Sequence, residues 1–243
     1  MNAAGLSSVA RSALDLVFPR VCASCGGAPG PDEGHLCGDC RSRIAPIQPP
    51  FCRRCGYPAG GRISGSYLCH HCLDRKVPFD RARSAAHFEG PLRDLVLRLK
   101  YHQALWVAPH LADWAEACIR GHFDGDGIQA LVPVPLHPAR RRARGFNQSE
   151  VLARLLGRRL GLPVVTGALV RVLDTRSQTS LTAAERVSNL RHAFALRRPT
   201  RIRDRRVLLI DDVMTTGSTL SACAERLREG PAAWVGAATV ARG

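Results

Sequence analysis

Eight of the chain's ten cysteines fall between residues 22 and 72, in four Cys-x-x-Cys pairs: Cys22/Cys25, Cys37/Cys40, Cys52/Cys55 and Cys69/Cys72. Nothing else in the sequence restricts its folding as strongly. A tetrahedral Zn²⁺ ion takes four thiolates, and two such pairs supply them when the chain folds back as a ribbon. Eleven residues separate the first two pairs and thirteen the last two. The simplest pairing is therefore sequential and gives two structural zinc sites. Glycine beside three of the pairs, in "CGG", "CGDC" and "CGY", eases the tight turn around a metal. A thioredoxin-like redox pair is the rival chemistry, but four copies at ribbon spacing without a surrounding βαβ pattern argue against it. His70 and His71 are alternative ligands beside the last pair, though the cysteines already fill both sites. Cys118 and Cys223 stand in helical, apolar contexts as buried structural thiols.

After "VPFD" the texture changes from Gly, Pro and Cys to longer apolar runs. This divides the 243 residues into an N-terminal helix over 1–17, a double zinc ribbon over 18–78 and a larger domain over 79–243. "PLRDLVLRLKYH" and "ALWVAPHLADWAEACIRGHF" have helical spacing, with Pro91 suited to a first turn. "ALVPVP" reads as a buried strand, "SEVLARLLGRRLG" as a helix closed by Gly161, and "PVVTGALVRV" as a strand. Thr182 and Glu185 form a capping box for a short helix. "RRVLLIDDV" is a strand, "STLSACAERLREG" a helix ending on a C-cap glycine, and "AAWVGAATVAR" a last strand. Alternating strands and helices specify an α/β fold, a mostly parallel sheet with helices on both faces. Ligands of such sheets bind beyond the carboxyl ends of the strands.

The stretch "VLLIDDVMTTGSTL", residues 207–220, carries the most chemistry. The sequence predicts a strand over Val207–Ile210 that ends at Asp211 and Asp212, then a turn through Gly217 into a helix near Ser218. Free N–H groups at that helix start, with the hydroxyls of Thr215, Thr216, Ser218 and Thr219, form an anion cradle. Gly217 lets the backbone approach the anion. Two carboxylates beside a phosphate repel it unless they accept hydrogen bonds from sugar hydroxyls or face a divalent cation. The combination therefore suits a ribose 5-phosphate better than a bare phosphate.

These residues resemble the phosphoribosyl pyrophosphate (PRPP) motif of type I phosphoribosyltransferases, matched without a gap from Val207 to Thr219. The resemblance implies that Asp211 and Asp212 hold the ribose hydroxyls, that Thr215–Thr219 hold the 5-phosphate, and that Mg²⁺ accompanies PRPP. Purine-salvage relatives usually carry a third acidic residue three positions after the second carboxylate. Here that position is Thr215, which is no general base near neutral pH, so 6-oxopurine salvage is disfavoured. With the knuckles, "VPVPLHPARRRARGFNQSEVLARLLG" and "RVLDTRSQTSLTAAERVSNLRHAF" resemble the competence ComF family (ComFC-like proteins) over nearly the whole chain. In the first stretch Arg140, Arg141, Arg142, Arg144, Gly145, Phe146, Asn147 and Gln148 are placed to meet a pyrophosphate with its Mg²⁺. In the second, Gln178, Arg186 and Asn189 resemble the loop that closes over PRPP in relatives.

Lys plus Arg number 35 against 20 Asp plus Glu, a net charge of +15, and Lys76 and Lys100 are the only lysines. A guanidinium surface favours phosphate-bearing partners. Within the ribbon, Arg41, Arg43, Arg53, Arg54, Arg62, Arg75 and Lys76 alternate with Phe51, Tyr57 and Tyr67, the composition of a single-stranded nucleic-acid surface or, equally, of aromatics packed beside a metal. No apolar run approaches the length of a membrane span, and the N-terminal stretch is a poor secretory signal. The expectation is a cytoplasmic protein with reduced thiols and no membrane insertion. The family resemblance implies handling of single-stranded DNA in natural transformation. Two alternatives stay open: an active phosphoribosyltransferase on an unidentified small acceptor, whose catalytic residues the sequence does not indicate, and a PRPP sensor that docks a helicase-type partner. The sequence also predicts that Asn at both 211 and 212 weakens PRPP binding without moving the thermal midpoint of the apo protein.

Overall fold

The computed structural model describes residues 20–61, 63, 65–74, 77–174 and 192–243. The expected helix at 1–17, the capping box and the loop candidates Gln178, Arg186 and Asn189 lie outside the described residues, as do Arg62, Arg75 and Lys76. Two helical turns, α1 (Gly38–Ser42) and α2 (His70–Asp74), carry Cys40 and Cys72. Strand β1 (Arg81–His87) leads into α3 (Gly90–Tyr101), a 3-10 turn over Leu105–Val107 and α4 (Ala108–Phe123). Pro91 lies in the first turn of α3 as expected. Pro109 does the same for α4, which is why the apolar run from Ala104 is not one continuous helix.

Strand β2 (Ala130–Pro133) is followed by α5 (Pro138–Arg144) and α6 (Gln148–Leu160). An antiparallel pair, β3 (Leu169–Arg171) and β4 (Phe194–Leu196), precedes β5 (Arg206–Met214), α7 (Ser218–Glu229) and β6 (Trp234–Arg242). The main sheet has four parallel strands in the order β1-β6-β5-β2. Successive residues of a strand face opposite sides. Leu208 and Ile210 therefore join the core under α3, α4 and α6, and Val207 and Leu209 join the core under α7. Burial on both faces accounts for the unbroken apolar run of β5.

Both sheet edges are covered, which removes unpaired strand groups from solvent. Along β1, residues 45–47 run antiparallel: Ile47 N–H donates to the Ala85 carbonyl at 3.0 Å and His87 N–H to the Ala45 carbonyl at 2.9 Å. Along β2, Leu131 N–H donates to Pro163 and Val165 N–H to Leu131, at 2.9 and 2.8 Å. The first cover comes from the link between the two cysteine tetrads, so the ribbon straddles the edge of the sheet. Cys22 and Cys40 pack into one core, and Cys52, Cys55, Cys69 and Cys72 into the other. The change of texture near residue 78 is thus not a break in packing.

Three elements differ from expectation. "PVVTGALVRV" is a bridge at Val164 and a short strand from Leu169, split by Gly167 at φ +73°. Gly161 closes α6 in the left-handed region as expected, but Gly230 closes α7 at φ −88°. Its smallness serves packing instead, since a Cβ there would lie 2.1 Å from Leu196 Cδ2. Strand β5 runs beyond Asp212 because Val213 and Met214 stay in register with Ala241 and Arg242. No helix of the described residues is long and apolar enough to cross a membrane.

Candidate functional site

Strands β2 and β5 are neighbours, yet the helices that follow them leave in opposite directions, α6 to one face of the sheet and α7 to the other. Such a reversal opens a crevice at the carboxyl ends of the strands. Two helix N-termini, each with free N–H groups and a positive dipole end, meet there. Asn147 caps α6 by accepting from Ser149 N–H at 3.2 Å, and its Nδ2 donates to the Val134 carbonyl at 2.9 Å. This places the start of α6 beyond the end of β2.

Asp211 and Asp212 occupy the end of β5, but on opposite faces rather than side by side. Asp211 Oδ1 accepts from Ser149 Oγ at 2.7 Å and from Asp212 N–H at 3.0 Å. Asp212 Oδ1 is 3.0 Å from Lys100 Nζ at the end of α3. Both carboxylates are buried, at 8% and 3% exposure. Burial, reinforced by the charge of Asp212, raises the Asp211 pKa from 3.8 to about 7, although Ser149, the Asp212 amide and Lys100 pull it down. Asp212 Oδ2 is buried and has no hydrogen-bond partner among the described residues. An acceptor without a donor is costly in a folded protein.

The turn that follows leads through Gly217 into a helix, as expected. Gly217 is left-handed at φ +77° and is the N-cap of α7, whose first N–H, that of Ser218, is met by the Thr216 hydroxyl. A Cβ on Gly217 would lie 2.6 Å from Met214 Cε, so the position is closed to larger residues by both conformation and space. Thr215 and Thr216 are exposed, and Ser218 and Thr219 half-buried. Thr216 Oγ1 lies 2.8 Å from Ser218 Oγ and accepts from Ser218 N–H at 3.4 Å.

The pyrophosphate candidates divide. Asn147 and Gln148 are buried at the start of α6, and Gln148 accepts from Arg144, whose guanidinium lies over the Tyr101 ring at 5.8 Å. Arg140 and Arg141 stand on a helix of their own, α5, closed by Gly145 at φ +86°. There Arg140 pairs with Asp174 at 2.9 Å and Arg141 with Glu150 at 3.3 Å. Three partners escaped sequence reasoning: Lys100, Ser149 and Arg242. Only Lys100 gave a signal, as one of two lysines in an arginine-rich chain.

The eight ribbon sulfurs gather in sequence order. Those of Cys22, Cys25, Cys37 and Cys40 lie within 4.8 Å of one another, as do those of Cys52, Cys55, Cys69 and Cys72. Cys25 and Cys37 are 3.8 Å apart and Cys55 and Cys69 3.5 Å. Four thiolates about 2.3 Å from a tetrahedral Zn²⁺ stand ~3.8 Å from one another, so both groups fit the ion. Arg43 donates to Cys40 Sγ at 3.1 Å, and Arg242 Nη2 is 4.0 Å from Cys55 Sγ. Each guanidinium offsets part of the negative charge of a four-thiolate site. The basic and aromatic residues of the ribbon serve mixed ends. Arg54 donates to the carbonyls of Val77 and Phe79, and Phe51 packs against Arg83 and His122, whereas Arg41, Arg53 and Tyr57 are exposed.

Residues 13–73 match the family model of the double zinc ribbon domain, and residues 146–243 that of the phosphoribosyl transferase domain. Competence protein F of Haemophilus influenzae is 32% identical over 86% of this chain and 90% of its own length. DNA utilization protein YhgH of Escherichia coli K12 is 33% identical over 90% of this chain and 95% of its own. Competence protein ComFC of Bacillus subtilis is 28% identical over 87% and 85%.

Proposed function

The chain belongs to the competence protein F family, which joins a double zinc ribbon to a phosphoribosyltransferase domain, and from that premise we propose that it is a PRPP-binding protein acting on single-stranded DNA during DNA uptake. One observation carries the PRPP reading. Two buried carboxylates, one with an oxygen unpartnered among the described residues, lie near the end of the strand that leads through a left-handed glycine into the N-terminus of α7. Asp211 and Asp212 accept the ribose hydroxyls. Thr215–Thr219 donate backbone N–H and hydroxyl groups to the 5-phosphate, helped by the helix dipole. Arg144 at the end of α5 and Asn147 and Gln148 at the start of α6 face the pyrophosphate, and Mg²⁺ bound with it would offset its charge. The two cysteine tetrads would each hold a structural zinc ion that fixes the ribbon against the sheet.

The DNA reading is supported by the +15 charge, the exposed Arg41, Arg53 and Tyr57 of the ribbon, and the names of the relatives, a competence protein and a DNA utilization protein. Phosphate contacts by arginine and base stacking on tyrosine are the forces available to such a surface. A cytoplasmic setting, in which structural thiolates stay reduced, and a helicase-type partner complete this reading. Calorimetric titration of PRPP with Mg²⁺, with and without single-stranded DNA, tests both ligands. Saturable PRPP heat and a DNA affinity that falls steeply with salt are expected. Absence of PRPP heat overturns the site assignment, and a salt-independent DNA affinity overturns the second. Pyrophosphate release from PRPP in the presence of candidate bases would convert the binding protein into a phosphoribosyltransferase.

A further inference from the structure

Arg242, the last residue of β6, is buried at 7% exposure in the middle of four groups from two parts of the fold, the ribbon and β5. Its Nη1 donates to the Cys55 carbonyl at 2.8 Å and lies 3.4 Å from Met214 Sδ. Nη2 lies 4.0 Å from Cys55 Sγ, and the guanidinium plane sits over the Tyr57 ring at 5.0 Å. Met214 is its register partner across β5 and β6, and Gly243 N–H donates to the Met214 carbonyl at 3.1 Å. Met214 Cε, in turn, fills the space against Gly217. A continuous packed path therefore runs from a ligand of the second cysteine tetrad, through Arg242 and Met214, to the glycine of the 215–219 turn.

We infer that Arg242 is a positioning residue for the phosphate cradle, and that metal bound at Cys52, Cys55, Cys69 and Cys72 fixes the cradle through it. The inference rests on reading residues 215–219 as that cradle. Without the metal, the peptide of Cys55 loses its anchor, and the guanidinium loses both its hydrogen-bond acceptor and the thiolate charge that balances it. Met214 is then free to change rotamer, and the left-handed turn at Gly217 loses the side chain packed beneath it. The first tetrad lies on the other side of the sheet, and among the described residues its neighbours Ser24 and Ala23 bond to Asp94 and Arg98 of α3 rather than to the turn. By linkage, PRPP should hold the second metal as strongly as the second metal holds the cradle.

Amide hydrogen exchange of Met214–Thr219 and Gly243 tests the path without any ligand. It is read on the zinc-loaded full chain as wild type, Arg242→Met, Arg242→Lys, Cys69→Ser and Cys25→Ser. Exchange of these amides should rise about tenfold in Arg242→Met and Cys69→Ser, and stay at the wild-type rate in Cys25→Ser, which disturbs only the first tetrad. Arg242→Lys keeps the charge but not the planar fork, so it should fall between. Wild-type exchange in both Arg242 variants overturns the inference, as does an equal rise in Cys25→Ser. Should Cys69→Ser lose the ribbon fold, the Arg242 pair decides, because its cysteines are intact. PRPP titration of the same proteins then separates the two readings. No heat in the wild type removes the PRPP assignment and leaves the exchange result standing. Heat of wild-type affinity in Arg242→Met removes the positioning role.

Discussion

Replacing Asp211 by Asn should stabilise the empty protein above neutral pH while abolishing PRPP binding. The carboxyl is buried against the charge of Asp212, which raises its pKa from 3.8 to about 7. A group that binds its proton more tightly in the native state than in the unfolded one favours folding at low pH. That contribution is complete below about pH 4 and is lost as pH rises through the native pKa near 7. At about 1.4 kcal/mol per pH unit the full loss is ~4 kcal/mol, an upper bound because local relaxation softens charge burial. Asparagine keeps an acceptor for Ser149 Oγ and for the Asp212 amide but carries no charge. In urea unfolding of the apo protein at a series of pH values, the variant should match or trail the wild type near pH 4. It should gain steadily to pH 8, where the advantage would raise the thermal midpoint by up to about 10 °C for a chain of this size. A variant less stable than the wild type at pH 8, or a difference that does not change with pH, would refute the burial argument. PRPP heats of wild-type size in the variant would refute the ribose contact.

Asp212→Asn should do the opposite, because it strands the Lys100 ammonium, which is 19% exposed and otherwise paired at 3.0 Å. A loss of about 3 kcal/mol is expected, largely recovered in the double variant with Lys100→Met, and additive losses in the cycle would show that the pair is not coupled. In the double Asn variant the two opposed changes largely offset one another near pH 8. Metal removal should be biphasic, since Cys25 is exposed and Cys37 half-buried while all four sulfurs of the second tetrad are buried. A chromogenic chelator should strip one equivalent of zinc fast and one slowly, with Cys25→Ser deleting the fast phase, and a single phase would contradict the difference in access.

Periodicity and punctuation made most of the elements legible. Pro91, Gly161 and the apolar runs of β2, β5 and β6 each stated a local preference that the tertiary structure kept. The turn into α7 was equally legible, because the left-handed Gly217 acts through backbone geometry that local sequence encodes. Two kinds of information were not. One was the facing of Asp211 and Asp212, which depends on whether β5 stops at Ile210 or pairs on to Met214, and that is settled by β6, some thirty residues away. The other was the set of partners from distant elements: Lys100 from α3, Ser149 from α6 and Arg242 from β6. Their side chains reach the site only once the sheet order β1-β6-β5-β2 has been set. Arg140 and Arg141 show the converse. Their sequence context suits an anion, but the fold brings Asp174 and Glu150 to them first.

Three features that each cost stability converge on the same crevice: a carboxyl held far above its ordinary pKa, an acceptor oxygen with no donor among the described residues, and a left-handed turn that favours glycine. Perturbed ionisable groups of this kind concentrate at functional sites. Their signs also discriminate among ligands. A bare phosphate would gain the N–H groups of α7 but would meet two carboxylates at the end of β5. A free sugar would satisfy the carboxylates and leave the helix terminus unused. Under the proposed reading a phosphorylated sugar would satisfy both at once, its hydroxyls toward Asp211 and Asp212 and its phosphate toward the 215–219 turn, and the costs carried by the empty protein would be the complement of that ligand.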